Sequence, residues 1–285
     1  MDLLEETKYI LRKYGIHANK NLGQNFLIDE NVVEKIIEEA KIEKEDLVIE
    51  IGPGLGTLTS QLLRKAGKVI AIELDERMIT ILKDRFQLYE NFELVNEDVL
   101  KVDIHQLIER SLNQDIKRAK IVANLPYYIT TPIIMKLLEE KLNIETITVM
   151  IQKEVADRLT EIPGGKNTGA ITYAVYYYAE AKKVIDVPCT SFVPEPSVAS
   201  KVIQLKIRNE PPVVVAEKDL MFQIIKYAFM QRRKTFVNAL ENSKIFKSKA
   251  EIIEILKKLD KNEKVRGESL SLEDYANITQ LVIKS

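Results

Sequence analysis

The feature that most constrains this chain is a recurrence of short apolar runs of strand character, at Leu47–Ile51, Val69–Ile72, Phe92–Val95, Lys120–Ala123 and Thr146–Ile151. Helical patterns such as Leu58–Lys65 and Glu76–Arg85 lie between them. Parallel strands need a crossover connection, and a helix is the usual one, so this alternation predicts a mostly parallel α/β sheet. Two later runs, Ala181–Val187 and Val202–Ile207, follow without an intervening helix. The sheet is therefore expected to reach seven strands and to finish in an antiparallel edge. The breaking stretch Asn209-Glu210-Pro211-Pro212 comes next, and beyond it the periods turn helical, at Asp219–Met230, Arg232–Leu240, Ala250–Leu259 and Ser271–Ile283. Ser271 with Glu273 and Asp274 suits the start of the last helix. This organisation predicts a sheet domain over 1–207 and a small helical domain over 208–285.

The length of 285 residues with 46% hydrophobic side chains suffices for one large core and a smaller one. Cys189 is the single cysteine and has only His17 and His105 beside it, which excludes an internal disulfide and a metal site of recognisable spacing. The chain opens without the basic segment and apolar run of a signal peptide, and no apolar stretch has membrane-spanning length, so a soluble cytoplasmic protein is expected. Net charge is −1, unevenly spread: Lys+Arg against Asp+Glu gives 27 − 32 = −5 for residues 1–207 and 15 − 11 = +4 for 208–285. The basic cluster Arg232-Arg233-Lys234 lies in the second part. Such an excess fits a nucleic-acid partner and fits solvated helical faces equally well.

Glu50-Ile51-Gly52-Pro53-Gly54-Leu55-Gly56 follows a strand and opens a helix, with glycines where backbone must turn tightly and approach a ligand. A dinucleotide fingerprint needs Gly-x-Gly-x-x-Gly, whereas the third glycine here comes one residue early, after an acidic Glu50. That favours S-adenosylmethionine (SAM) over NAD; a plain strand-to-helix connection is the bland alternative. Glu73 ends the second strand, where a carboxylate accepts both ribose hydroxyls of a nucleotide, and Asp98 follows the third, within reach of an adenine amine. Each acid alone reads as a helix cap or loop residue. Three consecutive strand ends with suitable groups read as a ligand site, because ligands bind at the carboxyl ends of such strands.

The fourth strand ends in Asn124-Leu125-Pro126-Tyr127. An adenine exocyclic amine is a poor nucleophile because its lone pair is delocalised into the ring. The Asn124 side-chain oxygen and a backbone carbonyl held by Pro126 can take its two hydrogens and aim the lone pair at a methyl donor. Tyr127 suits stacking on an extruded base. No general base is required, since a sulfonium is already a good leaving group and the product proton passes to water. The alternative is a β-turn with a packed tyrosine. Phe192, in the proline-flanked loop Phe192-Val193-Pro194-Glu195-Pro196-Ser197, suits the other face of the base; core packing explains it equally.

With these residues laid out, the chain resembles the rRNA adenine dimethyltransferase family over nearly its whole length, and its small-subunit branch in particular. The motifs are Gly23-Gln24-Asn25-Phe26-Leu27, Glu50-Ile51-Gly52-Pro53-Gly54, Asn124-Leu125-Pro126-Tyr127, Gln152-Lys153-Glu154-Val155-Ala156 and Phe192-x-Pro194-x-Pro196-x-Val198-x-Ser200. The resemblance implies a Rossmann-like SAM-dependent methyltransferase domain. It implies that Asn25, Leu27, Gly52, Gly54, Glu73, Asp98 and Asn124 line the SAM site, and that Asn124, Leu125, Tyr127 and Phe192 hold the adenine. Ala228-Phe229-Met230-Gln231-Arg232-Arg233-Lys234-Thr235, Arg266-Gly267-Glu268-Ser269-Leu270-Ser271 and Leu125 resemble the small-subunit branch more than the antibiotic-resistance Erm branch.

The implied reaction is dimethylation of two adjacent adenosines near the 3′ end of 16S rRNA in the immature small subunit, by a monomer whose helical domain binds RNA through Arg232, Arg233 and Lys234. Ser197 and Ala199 stand where the family commonly has Lys and Asp, and Thr168-Gly169 where it has Tyr-Gly, so RNA contacts of these two loops are not carried over. Three rival readings stand beside this one. An Erm-type enzyme would act on 23S rRNA. A binding-only assembly factor would show a damaged cofactor site, and a small-molecule methyltransferase does not call for a basic helical tail.

Overall fold

The central strand-like runs become strands because each is a buried apolar stretch, whereas the outer strands are half-buried or partly exposed. In chain order the elements are α1 (Leu3–Lys13), β1 (Phe26–Leu27), α2 (Glu30–Ala40), β2 (Asp46–Ile51), α3 (Thr57–Lys65), β3 (Lys68–Glu73), α4 (Glu76–Phe86) and β4 (Phe92–Asn96). Then come α5 (Ile104–Glu109), β5 (Arg118–Asn124), α6 (Thr130–Glu139), β6 (Thr146–Gln152), α7 (Lys153–Leu159), α8 (Ala170–Tyr178), β7 (Ala179–Val187), β8 (Phe192–Val193) and β9 (Ser200–Ile207). Four helices close the chain, α9 (Lys218–Met230), α10 (Phe236–Leu240), α11 (Lys249–Lys258) and α12 (Leu272–Lys284). This computed structural model describes residues 2–18, 23–165 and 167–284.

Seven strands pair in the order β4-β3-β2-β5-β6-β9-β7. Pairing is parallel from β4 through β6, and β9 runs antiparallel to β6, with Met150 opposite Val202. The antiparallel edge expected from the sequence is therefore present. From β2 the chain steps outward to β3 and β4, then returns to the other side of β2 as β5. That reversal leaves a crevice at the carboxyl ends of β2 and β5, where α/β sheets bind ligands. Helix starts nearby are fixed by carboxylates: Asp75 accepts from the Arg77 amide at 3.0 Å and Asp103 from the Gln106 amide at 3.0 Å. A second, two-stranded sheet joins β1 to β8, with Leu27 opposite Phe192. Phe192 thus sits in a strand and not in the loop expected from its flanking prolines, because its backbone has a partner 165 residues earlier in the chain.

The chain divides into two compact units, residues 1–156 with 181–207, and residues 157–180 with 208–285. The boundary near 208 recurs, but the contiguous 1–207 domain does not: residues 157–180 belong with the helices. The reason is α8, whose Tyr173 and Tyr177 pack into one core with Met221, Ile224, Phe236, Leu256 and Tyr275. Tyr173 donates its hydroxyl to the Leu270 carbonyl at 2.6 Å, and Tyr275 donates to the Gly267 carbonyl at 3.0 Å. Gly267 has no room for a side chain, since a Cβ there would lie 2.7 Å from that of Ala228. The helix expected over Arg232–Leu240 begins only at Phe236, because Thr235 caps it by accepting from the Asn238 amide at 3.3 Å; residues 231–234 form a turn. Ser271 and Asp274 close the start of α12 reciprocally, amide to side chain, at 2.9 and 3.0 Å.

Candidate active site

A cavity of about 320 Å³ opens at the carboxyl ends of the parallel strands, within the size range of small-ligand sites. Asn25, Leu27, Gly52, Gly54, Glu73, Asp98, Asn124, Leu125, Tyr127 and Phe192 all line it. The ten residues singled out for cofactor and base therefore converge, from six separate stretches of sequence. Arg232, Arg233 and Lys234 belong to the other unit, all three exposed in the turn before α10, with Arg232 ion-paired to Glu268.

The floor is the turn after β2. Gly52, Gly54 and Gly56 take φ values of 66°, 56° and 87°, a region that side chains resist. The Gly52 amide donates to the Ile72 carbonyl at 2.9 Å, tying the turn to β3. Gly56 starts α3 so close to Phe86 that a Cβ would lie 2.5 Å from that ring.

Two buried carboxylates face this floor. Glu73, 8% exposed at the end of β3, accepts from the Asp75 amide at 2.8 Å through one oxygen and from the Gly54 amide at 3.2 Å through the other. Burial pushes its carboxyl above the usual range, and the two amides pull the other way. Glu50, 1% exposed, accepts from the Thr59 hydroxyl at 2.6 Å. Burial raises it to about 8; the Thr59 bond opposes this and the Glu73 charge adds to it. Asp98, half-buried after β4, uses one oxygen to accept from the Leu100 amide at 2.9 Å.

Asn124 ends β5 half-buried, and among the described residues its side-chain amide has no hydrogen-bond partner. Leu125 is 1% exposed and anchors the next step by donating its amide to the Met150 carbonyl at 3.1 Å. The Pro126 carbonyl is taken by the Thr130 hydroxyl at 2.9 Å, so the carbonyl left for a ligand is that of Leu125, the one Pro126 follows. Tyr127 bonds through its hydroxyl to Ser200 Oγ at 2.6 Å. Phe192, only 1% exposed, belongs to the hydrophobic core as well as to the cavity wall, so the packing role and the pocket role coincide in one ring.

Gln24, Leu74, Tyr128 and Ser200 are among the lining or supporting residues that the sequence alone did not place in the site. Gln24 donates to Asp75 at 2.8 Å, which ties the Gly23–Leu27 segment to the start of α4. Leu74 and Tyr128 line the cavity at 50% and 56% exposure, and Ser200 holds Tyr127. Their signals were adjacency to Glu73 and Tyr127, and membership of quoted motifs. Among the described residues no group of three or more His, Cys, Asp or Glu is arranged to hold a metal ion, and no helix is long and apolar enough to cross a membrane.

Comparison with known proteins bears on this site. The pattern of the family described as Ribosomal RNA adenine dimethylase matches residues 15–284. A Ribosomal RNA small subunit methyltransferase A from Alkaliphilus metalliredigens is 48% identical over 277 residues, covering 97% of this chain and 96% of its own. A solved dimethyladenosine transferase from Plasmodium falciparum aligns with a TM-score of 0.75 at 28% identity, over 91% of this chain and 98% of its own. The 23S rRNA methyltransferase ErmE shares the fold, with a TM-score of 0.67 at 24% identity over 91% of this chain and 100% of its own.

Proposed function

Because this chain belongs to the ribosomal RNA adenine dimethylase family, we propose that it dimethylates the exocyclic amines of two adjacent adenosines near the 3′ end of 16S rRNA, in the cytoplasm, during assembly of the small subunit. It is a SAM-dependent methyltransferase with a Rossmann-like fold. The observation that carries the fuller reading is the convergence of the glycine turn, Glu73, Asp98 and the unpartnered Asn124 amide on one cavity. The residues fit the cofactor: two buried carboxylates without a cation, beside a floor of backbone amides, suit a ligand that is both a nucleoside and a cation.

SAM supplies an electrophilic methyl group on a sulfonium. Glu73 accepts hydrogen bonds from the ribose hydroxyls, and Asp98 accepts from the cofactor's adenine amine. Asn25, Leu27, Gly52 and Gly54 complete that half of the cavity. In the other half, the Asn124 side-chain oxygen and the Leu125 carbonyl take the two hydrogens of the target amine and turn its lone pair outward. Tyr127 stacks on the base, and Phe192 walls off its other side. Arg232, Arg233 and Lys234 meet phosphate from the helical unit, and the protein works as a monomer. Replacing those three by Ala flattens the salt dependence of subunit binding, by about 0.9 in log–log slope per lost contact on duplex; an unaltered slope removes them from the RNA surface.

The small-subunit substrate is favoured over the large by the 48% identity to a small-subunit enzyme, where the likeness to ErmE extends to fold alone. A binding-only assembly factor would tolerate a broken cofactor cavity, and this one keeps every expected residue. The test is methylation of purified small and large subunits in parallel, with the modified bases mapped. Two adjacent dimethyladenosines in the small subunit alone are expected; modification of the large subunit alone overturns the assignment.

A further inference from the structure

The geometry points to Ser200 as a positioning residue for methyl transfer: we propose that it fixes the plane of the Tyr127 ring against which the target base stacks. The inference rests on the reading of Tyr127 as the stacking platform. Ser200 begins β9, 0% exposed, opposite Gln152 at the end of β6. Tyr127 follows β5, on the far side of β6. The tyrosine therefore reaches across one whole strand to place its hydroxyl 2.6 Å from Ser200 Oγ. A buried serine hydroxyl without a partner is costly, so this bond is held firmly in the folded state.

The neighbouring tyrosine shows what the anchor adds. Tyr128 lines the same cavity, is 56% exposed, and has no hydrogen-bond partner for its hydroxyl among the described residues. Of the two adjacent rings, only Tyr127 is pinned at both ends, by its backbone in the Pro126 turn and by its hydroxyl on the sheet. A pinned ring offers one stacking plane, and a base stacked on it meets the Asn124 oxygen and the Leu125 carbonyl at one angle. Transfer depends steeply on that angle, because a misplacement of about 1 Å can cost about a hundredfold in rate. Dimethylation multiplies the demand, since the base must take up the same pose again once its amine already carries a methyl group.

The expected consequence is a loss of rate that Ser200 and Tyr127 share. In single-turnover methylation of small subunits at saturating SAM, Ser200→Ala and Tyr127→Phe each lower the rate about tenfold, and the double variant is no slower than either single one. Dimethylated product falls more than monomethylated product, while half-saturation by subunits and SAM affinity stay within about twofold of wild type. Tyr127→Phe keeps the ring and leaves a buried serine only locally unpaired, so it carries the test if Ser200→Ala unfolds. Multiplying losses, or wild-type rates in either folded single variant, overturn the proposal. Failure of the underlying reading looks different: wild-type protein then leaves small subunits unmethylated, or Tyr127→Ala methylates them at full rate.

Discussion

The two ends of β2 bury the same chemistry in opposite surroundings. Asp46 at its start is 0% exposed and Glu50 near its finish is 1% exposed. Around Asp46 the chain supplies its own counter-charges: Lys120 Nζ lies 2.9 Å from one oxygen and Arg118 Nε lies 2.9 Å from the other, paired by charge without an aligned hydrogen bond. The Glu43 amide also donates to Asp46 at 2.8 Å. Around Glu50 there is a threonine hydroxyl and the charge of a second acid, Glu73, and among the described residues no cation pairs with either. A buried carboxylate that carries charge needs a partner. At the amino end of the sheet the partner is structural and built in. At the carboxyl end the fold supplies none, and burial leaves the Glu50 carboxyl raised to about 8. Burial of a carboxylate alone therefore says little about function; what distinguishes the site is a buried acid whose compensation the fold omits.

Breaking the built-in pair should have the largest effect. Asp46→Ala leaves Lys120, whose side chain is 5% exposed, with the Lys41 carbonyl at 2.8 Å and the more distant Glu145 as its remaining partners. A loss of about 3–5 kcal/mol in urea unfolding is expected, with SAM affinity of the folded fraction unchanged. If the cost stays under about 1 kcal/mol, the two ends of the strand do not differ in the way described.

The ligand end should respond the other way. Glu73→Ala is expected to weaken SAM binding by about 1.5–3 kcal/mol, the scale of hydrogen bonds to a charged group, with little change in unfolding free energy. Calorimetry that returns the wild-type affinity removes Glu73 from the ribose role.

A smaller effect lies in the pH dependence. Glu50 titrates near 4.5 when unfolded and at about 8 when folded, so the folded state holds its proton more tightly. The stability this contributes is full below pH 4.5 and is lost as pH rises toward 8. Glu50→Gln removes the dependence, so without SAM its melting temperature should match wild type near pH 4.5 and exceed it at pH 8. Parallel profiles for the two proteins would show that Glu50 is not the uncompensated group.

The contrast between Asp46 and Glu50 was not legible in the sequence, but much of the fold and of the site was, and the exceptions have physical causes. The central strands of the seven-stranded sheet announce themselves because buried strands are near-continuous apolar runs, and the site follows because ligands bind where those runs end. Strands β1 and β8 are two residues each, too short for any period, and their pairing joins positions far apart in the chain. Helix α8, Ala-Ile-Thr-Tyr-Ala-Val-Tyr-Tyr-Tyr, is apolar on nearly every side, so its pattern does not reveal which core it joins. The start of α10 was marked by Thr235, an N-cap residue type, but the helix-compatible Arg232-Arg233-Lys234 before it extended the apparent period. The Tyr127 to Ser200 bond was hidden because each residue stood in its own motif and nothing in one dimension links them.

The end of β5 is proposed to orient the target amine through the Asn124 side chain. Single-turnover methylation of small subunits at saturating SAM should fall by about 10²–10³ for Asn124→Ala, the usual cost of deleting one preorganised polar contact at a reacting group. Asn124→Asp retains an acceptor and should keep more activity than Ala. RNA affinity should change little for either, because most of it comes from backbone contacts spread over a wide surface. Folded Asn124→Ala protein that methylates at the wild-type rate would remove Asn124 from the reaction centre.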